Sequence, residues 1–95
     1  MYTNILFIDD FSKALVIVSD KIGNDWSRLV AYLDTELEIE VIRIQNPYNV
    51  FEQGRKALKM WSQKHPADAK VSNLKWGLNI IGRNDIIVAI ENFQQ

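Results

Sequence analysis

Two glycines and two prolines divide this chain into segments of helical length, and this division constrains the fold more than any other feature. The four interruptions are Gly23, Pro47, Pro66 and Gly82. A glycine just after a helix and a proline just beyond it are both typical helix ends. Within the segments, apolar residues recur at i, i+3, i+4 and i+7, as on one face of a helix. The pattern predicts five or six short amphipathic helices that pack as an antiparallel bundle.

The beginning of the chain predicts two helices. Residues 11–22 carry apolar positions at helical spacing, but the largely β-branched run at residues 15–18 leaves a strand as an alternative. Asn24 is the expected N-cap of the second helix. The inward faces are expected to be Phe11, Leu15, Val18 and Ile22 in the first helix, and Trp26, Leu29, Val30 and Leu33 in the second.

Residues 37–44 are ambiguous between a strand and a helix. Apolar residues alternate with acids from Leu37 to Val41, which is the period of a half-buried strand. The sequence from Thr35 to Glu38 is a capping box, which instead marks a helix start. If the segment is a helix, it has apolar residues on two faces. Either the bundle and its loops cover both faces, or one face is free for a partner. The two faces are Ile39 with Ile42, and Leu37 with Val41 and Ile44.

The second half of the chain predicts a long helix followed by two shorter ones. Asn49 caps the long helix and His65-Pro66 ends it. Phe51, Gly54, Ala57, Leu58 and Trp61 are expected on its buried face, and Glu52, Arg55, Lys56, Lys59 and Gln63 on its exposed face. In the next helix Val71, Leu74, Leu78 and Ile81 are expected to face inward. In the last, capped by Asn84, the inward residues are Ile86, Ile87, Ile90 and Phe93.

The charged residues are separated along the chain. An acidic stretch contains Asp34, Glu36, Glu38 and Glu40, and a basic stretch contains Arg55, Lys56, Lys59, Lys64, Lys70 and Lys75. Two interpretations remain open: the two stretches pair head to tail between like domains, or each is a solvated helix face. The net charge of −1 provides no general attraction for nucleic acid.

The sequence signals no catalytic chemistry. The chain has no cysteine, which excludes a disulfide, a thiol nucleophile and a thiolate metal site. His65 precedes a proline, and the sequence indicates no acid or nucleophile that would act with it in catalysis. We therefore expect a solvated loop histidine. The acids lack the glycine turn of a calcium loop, and the glycines form no phosphate-binding motif. We therefore predict a non-enzymatic protein with no catalytic residue, no metal and no cofactor.

Residues 1–10 are expected to be an N-terminal extension or linker. They contain a short apolar run, Ile5 to Ile8, without a basic leader and followed by two aspartates. A signal peptide is therefore not expected, and no apolar run approaches the roughly 20 residues that span a bilayer. We expect a cytoplasmic protein with no membrane insertion.

The three tryptophans differ in their expected roles. Trp26 and Trp61 lie on predicted inward faces and are expected in the core. Trp76 points away from the inward stripe of its helix. It is either a contact residue for a partner, where tryptophan is enriched, or it covers the first helix or the extension.

The order of these features resembles the death domain family over about residues 11–91. The matching pieces are Gly23-Asn24-Asp25-Trp26 with Leu29 and Leu33, then Ile39 and Ile42 before Asn46-Pro47, then Glu52-Gln53 with Leu58 and Trp61, then Val71, Leu74 and Leu78, then residues 81–86. Lys70 stands where the family often has a Ser or Thr cap, and Asp68 is the nearest substitute. Ankyrin-type and adaptor-type members are the most similar.

The resemblance implies an all-α, six-helix antiparallel Greek-key bundle over residues 11–93, with residues 37–45 helical. It also implies a signalling adaptor that binds other death domains, with possible self-association into helical oligomers, in apoptosis or innate immunity. The residues expected in such contacts are Asp25, Asp34, Glu36, Glu38, Glu40, Arg55, Lys56, Lys59, Trp76, Arg83 and Asp85.

Two alternatives remain beside the adaptor. One is a small nucleic-acid-binding helical domain that uses Arg55, Lys56 and Lys59 on phosphates and Trp76 for stacking. The negative net charge and the absence of a basic arm disfavour it, and no nucleic acid is expected as partner. The other is a regulatory or membrane-skeleton death domain within a larger scaffold protein.

Overall fold

The computed structural model describes residues 9–94, within which the chain forms six α-helices, two short 3-10 turns and no strand. The helices are α1 (Asp10–Lys21), α2 (Trp26–Leu33), α3 (Ile39–Gln45), α4 (Val50–Lys64), α5 (Val71–Ile80) and α6 (Asn84–Gln94). The predicted all-α class is confirmed. Most of the extension, residues 1–8, lies outside the described residues. Among the helices of residues 9–94, none is long and apolar enough to cross a membrane.

Local capping explains why α1 is a helix despite its β-branched run. The Asp9 side chain accepts a hydrogen bond from the Ser12 amide at 2.7 Å and so caps the first turn. At the other end Gly23 has a φ of +55°, a conformation in which glycine carries no steric penalty. The segment forms α1 and not a strand, so the helical prediction is confirmed, and Val18 and Ile22 are buried as expected.

The predicted start of α2 at Asn24 is wrong. Residues Gly23–Asp25 form a 3-10 turn, in which the Asp25 amide donates to the Ile22 carbonyl at 3.1 Å, and α2 begins at Trp26. Asp25 occupies the N-cap position but makes no capping hydrogen bond. Its carboxylate instead accepts from Arg83, which is distant in sequence.

The ambiguous segment is a helix, as the resemblance implies, but it starts later than the capping box predicts. The Asp34 Oδ1 atom accepts from the Glu36 amide at 3.0 Å, which bends the chain before α3. Thr35 therefore caps nothing, and α3 begins at Ile39. Its end before Pro47 is confirmed, with Asn46 at the C-cap.

The long helix α4 is the centre of the bundle, since it packs against α1, α2 and α3. Asn49 caps it as predicted, because its side chain accepts from the Glu52 amide at 3.0 Å. Gly54 permits a close approach to α2: a Cβ at this position would lie 3.1 Å from the Trp26 Cβ. The Trp26 Nε1–H donates to Gln53 Oε1 at 3.0 Å, so the buried indole is satisfied.

The ends of the last two helices also depart from the prediction. Asp68 does not cap α5: Lys70 holds the N-cap position without a side-chain hydrogen bond, and the Asp68 backbone carbonyl accepts from the Asn73 side chain at 2.7 Å. Gly82 follows the end of α5 with a φ of +77°, as expected for its predicted role as the stop of that helix. Phe93, predicted to face inward, is half-exposed at the end of α6, where Lys13 Nζ lies 5.1 Å from its ring centroid.

Candidate interaction surface

The exposed face of α4 carries the predicted basic residues. Arg55, Lys56 and Lys59 are all exposed. Arg55 forms an ion pair with Glu52 one turn earlier, at 2.8 Å, which raises the pKa of its guanidinium through the hydrogen bond to that carboxylate. Within residues 9–94, Lys56 and Lys59 form no ion pair. These two ammonium groups are therefore available to an acidic partner.

An open groove of about 500 Å³ lies between α1 and α4, beside this basic face. Phe11, Leu15 and Val16 line it from α1, and Arg55 and Lys59 line it from α4. Val16 is 66% exposed at this position, although it is apolar. The structure therefore places an apolar depression beside the cations, a feature that the sequence pattern does not predict.

Phe51 also lines this groove, and its predicted burial in the core is wrong. It lies in the first turn of α4, in helical register with the buried Gly54, Leu58 and Trp61, but at this end of the helix that face borders the groove. A half-exposed Phe51 and the highly exposed Val16 are a joint signal of this groove. Helical periodicity of a single segment cannot reveal it, because the groove exists only once α1 packs on α4.

Asp34 belongs to the interior and not to an acidic surface. Its side chain is 4% exposed, and its Oδ2 atom lies 3.3 Å from both Lys64 Nζ and His65 Nε2. The contact with Lys64 is an ion pair, and no well-directed hydrogen bond reaches Oδ2. Burial raises the pKa of Asp34, but the Glu36 amide and the charges of Lys64 and His65 outweigh it and lower the pKa below 3.8.

The other acids of the stretch remain on the surface. Glu36, Glu38 and Glu40 are exposed, and Glu40 forms an ion pair with Arg43 within α3. His65, predicted to be a solvated loop histidine, is instead half-buried against Asp34. The acidic surface therefore consists of these three glutamates around the start of α3, and Asp34, predicted to belong to it, does not.

Arg83 joins the α5–α6 corner to the α1–α2 corner. Its guanidinium donates to the Lys21 carbonyl at 3.1 Å, the Ile22 carbonyl at 3.2 Å and the Asp25 carboxylate at 3.0 Å. It also donates twice to Asp85 at 3.1 Å, which lowers the pKa of that carboxyl. Asp25, Arg83 and Asp85 are therefore engaged within the fold, although they are partly accessible.

Trp76 is 52% exposed, as expected from its position off the inward stripe. Its ring packs edge-on against Tyr32 of α2, with the ring centroids 6.4 Å apart.

Helix α3 and the turn after it expose further apolar groups, with Ile44 75% and Tyr48 98% accessible, while Ile42 is buried. Of the two predicted apolar faces, the one with Ile42 is inside. Val41 and Ile44 of the other face are outside, but Leu37, predicted to share that face, precedes α3 and is buried in the core.

The described surface combines exposed charges of both signs with an open apolar groove. Among residues 9–94, no three or more His, Cys, Asp or Glu residues are grouped so that they could hold a metal ion. Cations, an apolar groove and exposed acids on a compact helical bundle are suited to contact another protein.

Comparison with known proteins gives the family. The profile of the family described as Death domain matches residues 12–94. FAS-associated death domain protein of Bos taurus is 33% identical over 87 residues, which cover 90% of this chain and 42% of that protein. The Homo sapiens form is 27% identical over 88 residues.

A second group of relatives is the ankyrins. Ankyrin-1 of Mus musculus is 27% identical over 84 residues, which cover 87% of this chain but 4% of that protein. The chain thus spans less than half the length of these relatives. Because the family profile covers nearly all of the described bundle, this chain belongs to the death domain family, a family of protein-interaction modules.

Proposed function

We propose that this chain is an adaptor module that binds other death domains and helps to assemble an apoptotic or innate immune signalling complex in the cytoplasm. The observation that carries the proposal is the exposed basic face of α4, where Lys56 and Lys59 have no intramolecular ion pair within residues 9–94. The similarity to the FAS-associated death domain protein supports an adaptor role.

The chemistry of the two surfaces suggests how such a contact forms. Lys59 and Arg55 on one domain face Glu36 and Glu38 on the next, and these charges orient the encounter and raise the association rate. Each exposed pair contributes only roughly 0.2–1 kcal/mol. The apolar groove beside the cations supplies area that can be removed from water. Because the two faces differ, the contact is heterologous and can repeat from copy to copy.

A pull-down from cell extract tests the proposal. The wild-type chain and the double variant Arg55→Glu/Lys59→Glu serve as baits, and mass spectrometry identifies the captured proteins. We expect death domain proteins with the wild type and their loss with the variant, at nearly unchanged melting temperature. The control Lys21→Glu/Lys75→Glu makes the same change in net charge outside α4 and should capture like the wild type. Recovery of no death domain protein by the wild type would contradict the proposal.

A second candidate is a regulatory death domain of a larger scaffold, which the similarity to ankyrin-1 favours. It uses the same bundle and differs in its partner. Capture of membrane-skeleton proteins in place of signalling adaptors would support it.

An oligonucleotide added to the same chain tests the nucleic-acid alternative. We expect no binding, since the cations lie on α4 whereas Trp76 pairs with Tyr32 on α2.

A further inference from the structure

The groove between α1 and α4 is an elongated trough with an apolar floor. One wall is a single row along α4, because its residues recur every four positions: Phe51, Arg55, Lys59 and Gln63. A row of this length extends about 18 Å at ~1.5 Å per residue. On the other wall Val16 of α1 is 66% exposed, and no side chain of residues 9–94 fills the roughly 500 Å³ between the walls. This volume is in the range of sites that bind small molecules.

The charged groups that line this groove are cationic. Of the residues from 9 to 94 that line it, Arg55 and Lys59 are basic and none is acidic. Arg55 is paired with Glu52 at 2.8 Å, whereas Lys59 forms no ion pair within this range. Ser19 on the opposite wall is 4% exposed, and its hydroxyl has no hydrogen-bond partner in the described part of the chain. The groove is therefore complementary to an apolar molecule that carries one negative charge.

The walls of the groove favour an alkyl chain over an extended peptide. Both walls are helices, whose backbone amides and carbonyls are bonded within the helix. They present no free sheet edge with which the backbone of a peptide could pair. The amides of a seated peptide would lose their bonds to water without replacement, whereas an alkyl chain has no such groups.

We propose that the α1–α4 groove binds the anion of a free medium-chain fatty acid. The alkyl chain lies along the trough against Phe11, Leu15 and Val16, and the carboxylate pairs with the Lys59 ammonium. This binding does not depend on the proposed function. One consequence does rest on it: because Lys59 belongs to the basic face of α4, a bound fatty acid competes there with a partner death domain.

Titration of decanoate into the full chain, followed by the methyl signals in NMR spectra, tests the site. Decanoate is used below its micelle concentration, with octanoate and dodecanoate for comparison. We expect saturable shifts at Leu15 and Val16 and none at Val88, which is 43% exposed on α6. Each methylene that becomes buried should tighten binding by up to about fourfold. Equal shifts at Val88, or an affinity that is independent of chain length, would show non-specific association and overturn the inference.

Two matched comparisons test the role of charge. Decyltrimethylammonium has an alkyl chain of the same length with a positive head group, and we expect it to leave the Val16 signals unshifted. Lys59→Gln should weaken decanoate binding by about 2- to 5-fold, the effect of one exposed ion pair. Lys56→Gln changes a lysine of the same helix that does not line the groove, and it should bind like the wild type. Equal binding of the cationic amphiphile, or equal losses in the two variants, would contradict the inference.

A charge on the apolar floor should abolish binding. Val16→Asp introduces a carboxylate there, at a position exposed enough for the fold to tolerate it. Val88→Asp is the matched control on α6, and thermal melts show that both variants fold. We expect decanoate binding to be lost in the first variant and retained in the second. Retention in both would place the ligand elsewhere and reject the site.

A synthetic peptide of residues 36–48 of this chain, which is both acidic and apolar, represents a protein as the occupant. Shifts at Leu15 and Val16 with this peptide but not with decanoate would overturn the inference. None of these titrations contains a partner death domain, so a failure of the proposed function leaves their outcome unchanged. An absence of decanoate binding, with capture of death domain proteins intact, would defeat the fatty acid site alone.

Discussion

At the scale of single residues, Arg83 makes more side-chain hydrogen bonds than any other residue from 9 to 94. Its five hydrogen bonds bring together the end of α1, the turn before α2 and the start of α6. A lysine has the charge of arginine but not its planar fork of five donors.

We therefore expect Arg83→Lys to destabilise the domain nearly as much as Arg83→Ala. The loss should be roughly 1.5–3 kcal/mol, the range for hydrogen bonds to charged groups. For a domain of this size each kcal/mol lowers the melting temperature by about 4–8 °C. Thermal melts of the two variants measure the effect. A lysine variant as stable as wild type would show that charge alone matters here.

Asp34 should make stability depend on pH in acid. Its folded pKa lies below 3.8, so its stabilisation is fully present above that pH and is lost as the pH falls through the folded pKa. Asp34→Asn cannot be ionised and loses the ionic contact, which should cost on the order of 1 kcal/mol at neutral pH because Lys64 is partly exposed. The gap between the two proteins in denaturant melts should narrow below pH 3.8. A gap that is constant down to pH 2 would rule out this ionic contribution.

At the scale of helices, the two buried tryptophans hold α4 against its neighbours. Trp26 and Trp61 are each 1% exposed. Truncating a buried tryptophan costs ~3–5 kcal/mol, against a total stability of roughly 5–15 kcal/mol. We expect Trp26→Ala and Trp61→Ala to unfold or severely destabilise the domain, as read from thermal melts. Trp76→Ala is the matched control, since that ring is half-exposed, and its melting temperature should change much less.

The existence of the helices and the start of α4 at its Asn49 cap were predictable from the sequence, whereas the starts of α2 and α3 were not. Apolar periodicity and the stops at Gly23 and Gly82 are local, and each acts within a few residues. The starts of α2 and α3 depend on Asp25 and Asp34, whose carboxylates contact Arg83, Lys64 and His65 far along the chain. A local capping pattern contains no information about such distant partners.

At the scale of the whole molecule, the candidate surface also combines features set by the local sequence with features set by how the helices pack. The exposure of Arg55 and Lys59 follows from the period of α4 alone. The groove beside them, and the burial of Asp34, depend on how helices pack together. The sequence therefore predicted the charges of the surface but neither its shape nor its full membership.

The central claim is that the basic face of α4 binds the acidic side of another death domain. The most direct measurement is surface plasmon resonance between two copies at low salt, with each copy carrying its own substitutions. Arg55→Glu/Lys59→Glu on the mobile copy should abolish binding to an immobilised wild-type copy. Glu36→Lys/Glu38→Lys on the immobilised copy should partly restore binding of that mobile variant, and added salt should weaken both the wild-type and the restored complex. If the reversed variant binds the wild-type copy as tightly as the unmodified chain does at low salt, the claim is wrong.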